Sequence, residues 1–293
     1  MRKYTWPLIL FLKIVITRLN WLEYISRNLG LFSPGPGRLG NPERPIKTFL
    51  DHYSKAEKYF SSIIQNVIEI GPGETDLSMI AAAKKNINNF VLIDVQPCRR
   101  SIKNLNYDKY ANFINKEDYL NALIKSDNGS FQYLDSGISA LENIQDNSVD
   151  FIYSHSVLQH IKLDQIETTI SHISRVSREG AIHSHYIDLK DCFSNSFNNL
   201  RFSNKLWESE LVKSSGFYTN RIRLKEWMYY FDKYNLEIIN YEKKNHINQS
   251  FDIEKTHNDL SHIVEASDLL LSGINITTIS RKGIKIDDKK KNK

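Results

Sequence analysis

The feature that most restricts the fold of this chain is a change of rhythm at Asn66. From there, short apolar runs alternate with stretches of helical periodicity. The runs 67–70, 90–93, 131–134, 149–153, 181–187, 236–241 and 274–279 read as strands. Helices are predicted over 46–64, 77–86, 164–176 and 224–234. Strands joined by helical crossovers become parallel neighbours. The expected fold is therefore α/β: a doubly wound, mostly parallel, seven-stranded sheet, with an N-terminal helical extension and an insertion after the fifth strand. Ligands of such sheets sit beyond the carboxyl ends of the strands.

The chain of 293 residues is long enough for one elaborated domain over 46–284, preceded by a helix and Gly/Pro linker (1–45) and followed by a basic tail (285–293). The net charge of +5 leans on Lys289, Lys290, Lys291 and Lys293, and no basic face interleaved with aromatics stands out. A nucleic-acid partner is therefore not expected. Cys98 and Cys192 are too few for a disulfide framework and lack metal-type spacing, so no metal is expected and the compartment reads as cytoplasmic.

Residues 1–29 are the compositional outlier. Leu8, Leu12, Val15, Leu19 and Leu22 share one helical face, and Lys13, Thr17, Asn20 and Arg27 share another. The apolar stretch is too short and broken to span a bilayer. Two readings stand: a helix packed on the globular domain, which leads, or a peripheral contact with the inner membrane face, helped by Arg2, Lys3, Lys13 and Arg18. The cluster Ser33-Pro34-Gly35-Pro36-Gly37 reads as a linker or capping loop.

The first strand ends in Gly71-Pro72-Gly73. Two glycines permit a tight turn and close approach of a ligand to the backbone. A dinucleotide fingerprint wants Gly or Ala where Asp76 stands, and Glu74 lies in the same loop. Two carboxylates there would repel a diphosphate but tolerate a cationic ligand. Asp94 ends the second strand, where a carboxylate can accept hydrogen bonds from both hydroxyls of a ribose. Glu69, between apolar neighbours in a strand, needs a partner; orienting the loop or pairing with a ligand ammonium would supply one.

Glu69-Ile70-Gly71-Pro72-Gly73, Leu92-Ile93-Asp94, the run 146–154 and Val157-Leu158-Gln159-His160 resemble successive motifs of class I S-adenosylmethionine-dependent methyltransferases, type 11-like. The resemblance runs from about 67 to 281 and departs at Thr75, where a glycine is common. It implies the Rossmann-like methyltransferase fold and S-adenosylmethionine as cofactor. The cofactor contacts it implies are Glu69, Gly71, Pro72, Gly73, Asp94, Val95, Asp135, Ser136, Gly137, Ser154, His155 and His160, with His160 matching a position that packs under the cofactor. It also implies that the last strand is the antiparallel hairpin partner.

Methyl transfer from a sulfonium is an in-line displacement, and a hydroxyl acceptor needs a base. His183 and His185 share one face of the fifth strand. His185, nearer the carboxyl end, is the candidate base, with Asp188 orienting it or replacing it; a satisfied core histidine is the competing reading. The insertion 189–223 offers Trp207 and Tyr218 for stacking on sugars, and Arg201, Asn220 and Arg221 for polar groups, unless the aromatics simply close a structural cap. With Asp188-Leu189-Lys190-Asp191 it resembles a bacterial group tied to surface-glycan assembly, although Cys192 stands where a histidine is expected. The expected function is thus O-methylation of a saccharide or lipid-linked glycan precursor. Methylation of another small molecule or lipid, or a non-catalytic membrane-attached role, are the alternatives.

Overall fold

The computed structural model describes residues 2–16, 41–245, 252–260 and 264–282. The Gly/Pro linker expected before residue 41, the later part of the first apolar segment and the basic tail lie outside the described residues.

Seven strands form one sheet: β1 (Asn66–Ile70), β2 (Asn89–Ile93), β3 (Phe131–Leu134), β4 (Val149–His155), β5 (Ser177–Asp188), β6 (Leu236–Asn245) and β7 (Leu271–Ser280). Their order is β3-β2-β1-β4-β5-β7-β6. The first five run parallel, and β7 enters antiparallel between β5 and β6. The strand order reverses between β1 and β4. In an open α/β sheet that switch point leaves a crevice beyond the carboxyl ends of the strands.

Helices cover both faces. Helix α1 is Arg2–Ile16 and α2 is Glu43–Tyr59. Ile46, Phe49, His52, Tyr53 and Ala56 of α2 face inward, the i, i+3, i+4, i+7 spacing of an amphipathic helix. It ends earlier than its apolar continuation suggests, because Phe60 turns to extended backbone. Helix α3 (Ser78–Lys84) follows the glycine loop and packs with α2 against Phe90, Phe131, Phe151 and Tyr153. On the opposite face, α5 (Ile166–Val176) and α6 (Leu224–Lys233) cover Ile152, Ile187 and Ile274. Between α3 and α5 in sequence lies α4 (Lys116–Asp127), opened by Asn115, whose side chain accepts from the amides of Glu117 and Asp118.

The insertion after β5 is a compact cap. Phe193, Trp207, Val212, Phe217 and Tyr218 form a small apolar cluster of their own, and Leu10 of α1 is buried in it with Ile9 and Ile14 beside it. The face carrying Leu8, Phe11, Leu12 and Val15 points outward. Among the described residues no helix is long and apolar enough to cross a membrane.

Candidate active site

The strand ladder runs one residue past β1, with the Gly71 amide donating to Ile93 O at 2.8 Å. Gly71 and Gly73 then take φ of +76° and +77°, which side-chain-bearing residues rarely adopt. A Cβ on Gly71 would also lie 2.1 Å from Cγ2 of Val157, the residue that begins the turn after β4. The glycine therefore lets the loops after β1 and β4 touch.

Asp94 closes the other side. Its amide donates to Leu134 O at 2.9 Å, continuing the β2·β3 pairing, and its carbonyl accepts from Gly137 N at 2.8 Å. Its carboxylate accepts from Gly73 N and from Gln96 N, each at 2.9 Å. Burial raises the Asp94 pKa above the ordinary carboxyl value, opposed by these amides. The Tyr133 hydroxyl reaches Gly73 O at 2.6 Å and Gln96 O at 2.8 Å, bracing the two loops from β3. Nothing in the local spacing marked Tyr133 for this role.

Pro72, Gly73, Asp94, Val95, Asp135 and Ser136 all keep solvent-exposed surface around this crevice. Gly137 is buried at φ +64°, where an added Cβ would meet Val95 Cγ1 at 2.8 Å, so its glycine admits the β2 loop. Glu69 lies beneath the loop, and burial lifts its pKa to about 7. Its carboxylate accepts from Ser78 Oγ at 2.5 Å, tying β1 to the start of α3. Asp76 is turned away from the crevice, accepting from Ile102 N at 2.6 Å and Ser101 Oγ at 2.8 Å. Its carboxylate therefore does not face a ligand, contrary to the electrostatic reading of the loop.

Several expected site residues are not where their roles need them. Strand β5 continues three residues beyond His185, so this ring is inside the strand, 0% exposed and stacked on Phe231 at 5.6 Å. Its Nδ1 lies 2.8 Å from Ser154 Oγ, and burial lowers its pKa to about 3. No acceptor can reach it. Ser154, 0% exposed and committed to His185, likewise cannot touch a cofactor with its side chain. His183 is a satisfied core histidine: Ser177 Oγ donates to Ile173 O and so accepts from His183 Nε2, while Thr278 Oγ1 lies 2.9 Å from Nδ1. Asp188 at the strand end is half-buried, accepting from Lys190 N at 3.0 Å.

The cap residues proposed for sugar binding also face inward. Trp207 is 1% exposed and donates Nε1–H to Thr219 O at 2.7 Å. The Tyr218 hydroxyl donates to Glu208 at 2.7 Å. Asn220 donates to Leu158 O and Ile161 O, and Arg221 donates to Phe202 O and Asn204 Oδ1. These four form the inside of the cap, which is the structural alternative. Arg201, half-buried, donates to Asn198 Oδ1 at 2.6 Å. His160 is exposed and donates Nδ1–H to Tyr218 O at 2.8 Å, pinning the cap to the turn after β4.

The remaining expected contact, His155, is half-buried at the end of β4. It lies 3.1 Å from His52 of α2, a residue that sequence reasoning did not single out.

Residues 68–184 match the family model described as a methyltransferase domain. The span holds the glycine turn, Asp94 and the end of β4. Over that span the chain is similar to a methyltransferase domain. No curated protein sequence matches the chain. Among solved structures, the chain is similar to an S-adenosylmethionine-dependent methyltransferase from Archaeoglobus fulgidus, with 11% identity, 82% of this chain and 95% of that chain covered, and a TM-score of 0.47. It is also similar to YcgJ from Bacillus subtilis, with 13% identity, 80% and 99% covered, and a TM-score of 0.46. A putative S-adenosylmethionine-dependent methyltransferase from Listeria monocytogenes gives 9%, 80%, 99% and 0.45 for the same measures.

Proposed function

We propose that the crevice beyond β1, β2 and β4 holds the cofactor of this methyltransferase. In this reading Asp94 receives the ribose hydroxyls, and the Gly71-Pro72-Gly73 turn faces the methionine part. Val95, Asp135, Ser136 and Gly137 border the adenine, and Glu69 braces the loop from below. The observation that carries the reading is the 2.9 Å contact between Asp94 and Gly73 N, which joins the two motifs in one open crevice. The cofactor supplies a methyl group on a sulfonium, and the protein must align an acceptor with it and exclude water.

The acceptor we propose is a hydroxyl of a saccharide or of a lipid-linked glycan precursor. The resemblance of 188–223 to glycan-associated enzymes supports the saccharide. The outward apolar residues Leu8, Phe11, Leu12 and Val15 on a helix seated on the cap support an acceptor held at a membrane surface. Incubating the protein with methyl-labelled cofactor and fractionated extract of the source cells tests this. Label in the glycan or lipid-linked glycan fraction is expected, and label confined to simple lipids or small metabolites would contradict the saccharide reading.

A further inference from the structure

Three polar side chains meet where α2 crosses the ends of β4 and β5. His52 is on the buried face of α2, 2% exposed, stacked on Tyr153 with ring centroids 5.2 Å apart. A polar ring placed so deep needs partners for both nitrogens. Nδ1 lies 2.8 Å from Ser184 Oγ on β5, and Nε2 lies 3.1 Å from Nδ1 of His155. The two imidazoles meet edge to face at 81°, and His155 also lies against Tyr186, with centroids 4.8 Å apart. Ser184 and His52 are thus sealed inside, whereas His155, the outer ring, is half-buried at the switch-point end of β4.

We propose that His155 is the catalytic base toward the acceptor and that His52, backed by Ser184, is its positioning residue. This rests on the reading of methyl transfer in the adjoining crevice. Burial first, then the charge of His155, holds the His52 pKa well below the ordinary value, so the inner ring stays neutral with one N–H and one lone pair. If Nδ1–H of His52 donates to Ser184 Oγ, its Nε2 accepts Nδ1–H of His155, and the lone pair of the outer ring is then on Nε2. In the transfer step the acceptor hydroxyl gives its proton to that Nε2 while its oxygen bonds to the methyl carbon. The carbon–sulfur bond breaks with its electron pair kept on sulfur, and the proton passes from His155 to solvent.

The other titratable groups acting on His52 are Lys55 on α2, His185 on β5, and Lys244 on β6, whose ammonium lies 4.1 Å above the Tyr186 ring. The two lysines oppose a positive charge on His52, which helps to keep the inner ring neutral.

The test compares the full-length protein with His155→Gln, His52→Leu and His52→Gln. Leucine fills the site but removes both hydrogen bonds, whereas glutamine offers an amide near the place of Nε2. Three readouts are taken: calorimetric binding of S-adenosylhomocysteine, ring nitrogen shifts of His155 in histidine-labelled protein, and methyl transfer from labelled cofactor into cell extract across pH. In the wild type and His52→Gln, His155 should be the Nδ1–H tautomer, a preference that His52→Leu loses. His52→Leu should lower kcat about tenfold and His155→Gln about a hundredfold, the range of a general base, and His155→Gln should flatten the acid limb of the profile. In both His52 variants the affinity for S-adenosylhomocysteine should change by no more than about twofold, since His52 is sealed away from the crevice.

Wild-type rates in His155→Gln, equal behaviour of His52→Leu and His52→Gln, or an Nε2–H tautomer of His155 in the wild type would each overturn the pair. Failure of the wild type to bind S-adenosylhomocysteine is a separate result, overturning the crevice assignment on which the pair rests.

Discussion

The carboxylate of Asp94 accepts a hydrogen bond from the amide of Gly73 at 2.9 Å, so the two residues that define the crevice also hold each other in place. One oxygen serves the glycine loop and the other serves Gln96 N. A carboxylate has lone pairs beyond these two contacts, so hydroxyls can add to them. From this arrangement, and from the burial of its neighbours, five outcomes are expected.

Gly71→Ala should be far more damaging than Gly73→Ala. Both sites carry a positive φ, costing a substituted residue about 1–2 kcal/mol. Only at position 71 does the added Cβ meet the short, stiff Val157 side chain at 2.1 Å, whereas nothing lies within 4 Å at position 73. Urea unfolding should show the larger loss for Gly71→Ala, with loss of product binding; equal losses would contradict the close approach of the two loops.

Glu69→Gln should stabilise the unliganded protein at alkaline pH. The folded pKa is raised to about 7 from a reference of 4.5, so the folded chain holds a proton that the unfolded chain releases. The carboxyl's contribution is full below the unfolded value and is lost as pH rises through the folded one. Between about pH 5 and about pH 8 the wild type should lose roughly 2 kcal/mol that the variant keeps. Parallel stability curves would show that Glu69 is not held in this way.

His185 should govern acid stability and not catalysis. Its pKa is lowered to about 3 from 6.5, so below the unfolded value the unfolded chain binds the proton and the folded chain does not. The contribution is full above about pH 6.5 and declines as pH falls toward about 3. From about pH 7 to about pH 5 the ring should cost the wild type about 2 kcal/mol. His185→Leu should therefore lose less stability over that interval while retaining methyl transfer; a dead but normally folded variant would restore His185 as a base.

Trp207→Ala should act on the fold. The indole is 1% exposed among Phe193, Phe202, Tyr218 and Leu10, and such a truncation costs about 3–5 kcal/mol. Limited proteolysis should cut the cap and release α1 from it. A normally stable variant with weakened acceptor use alone would instead place Trp207 at the acceptor.

The sheet and the cofactor crevice were legible because their signals are local. An apolar run ending in Gly71-Pro72-Gly73, and another ending in Asp94, place a turn and a carboxylate at neighbouring strand ends whatever the distant chain does. Helix α4 was not legible, since only Ala122 along it is buried and its apolar face is faint. His185 misled because it is the histidine nearer the carboxyl end of the run 181–187, whereas pairing with β7 carries β5 on to Asp188 and keeps that ring inside the strand. The cap aromatics stay open in the sequence between a sugar platform and a structural cap, because a single sequence does not tell outward rings from rings that pack on each other. His52 escaped notice for a different reason: on α2 it occupies an ordinary core position, and its partner Ser184 is 132 residues away.

Calorimetric titration of S-adenosylhomocysteine into the wild type and Asp94→Ala tests the central assignment most directly. Losing a charge-assisted pair of hydrogen bonds to the ribose, together with the anchor of the Gly73 loop, should weaken binding by about tenfold or more. Wild-type affinity in the variant, with the fold intact by circular dichroism, would contradict it.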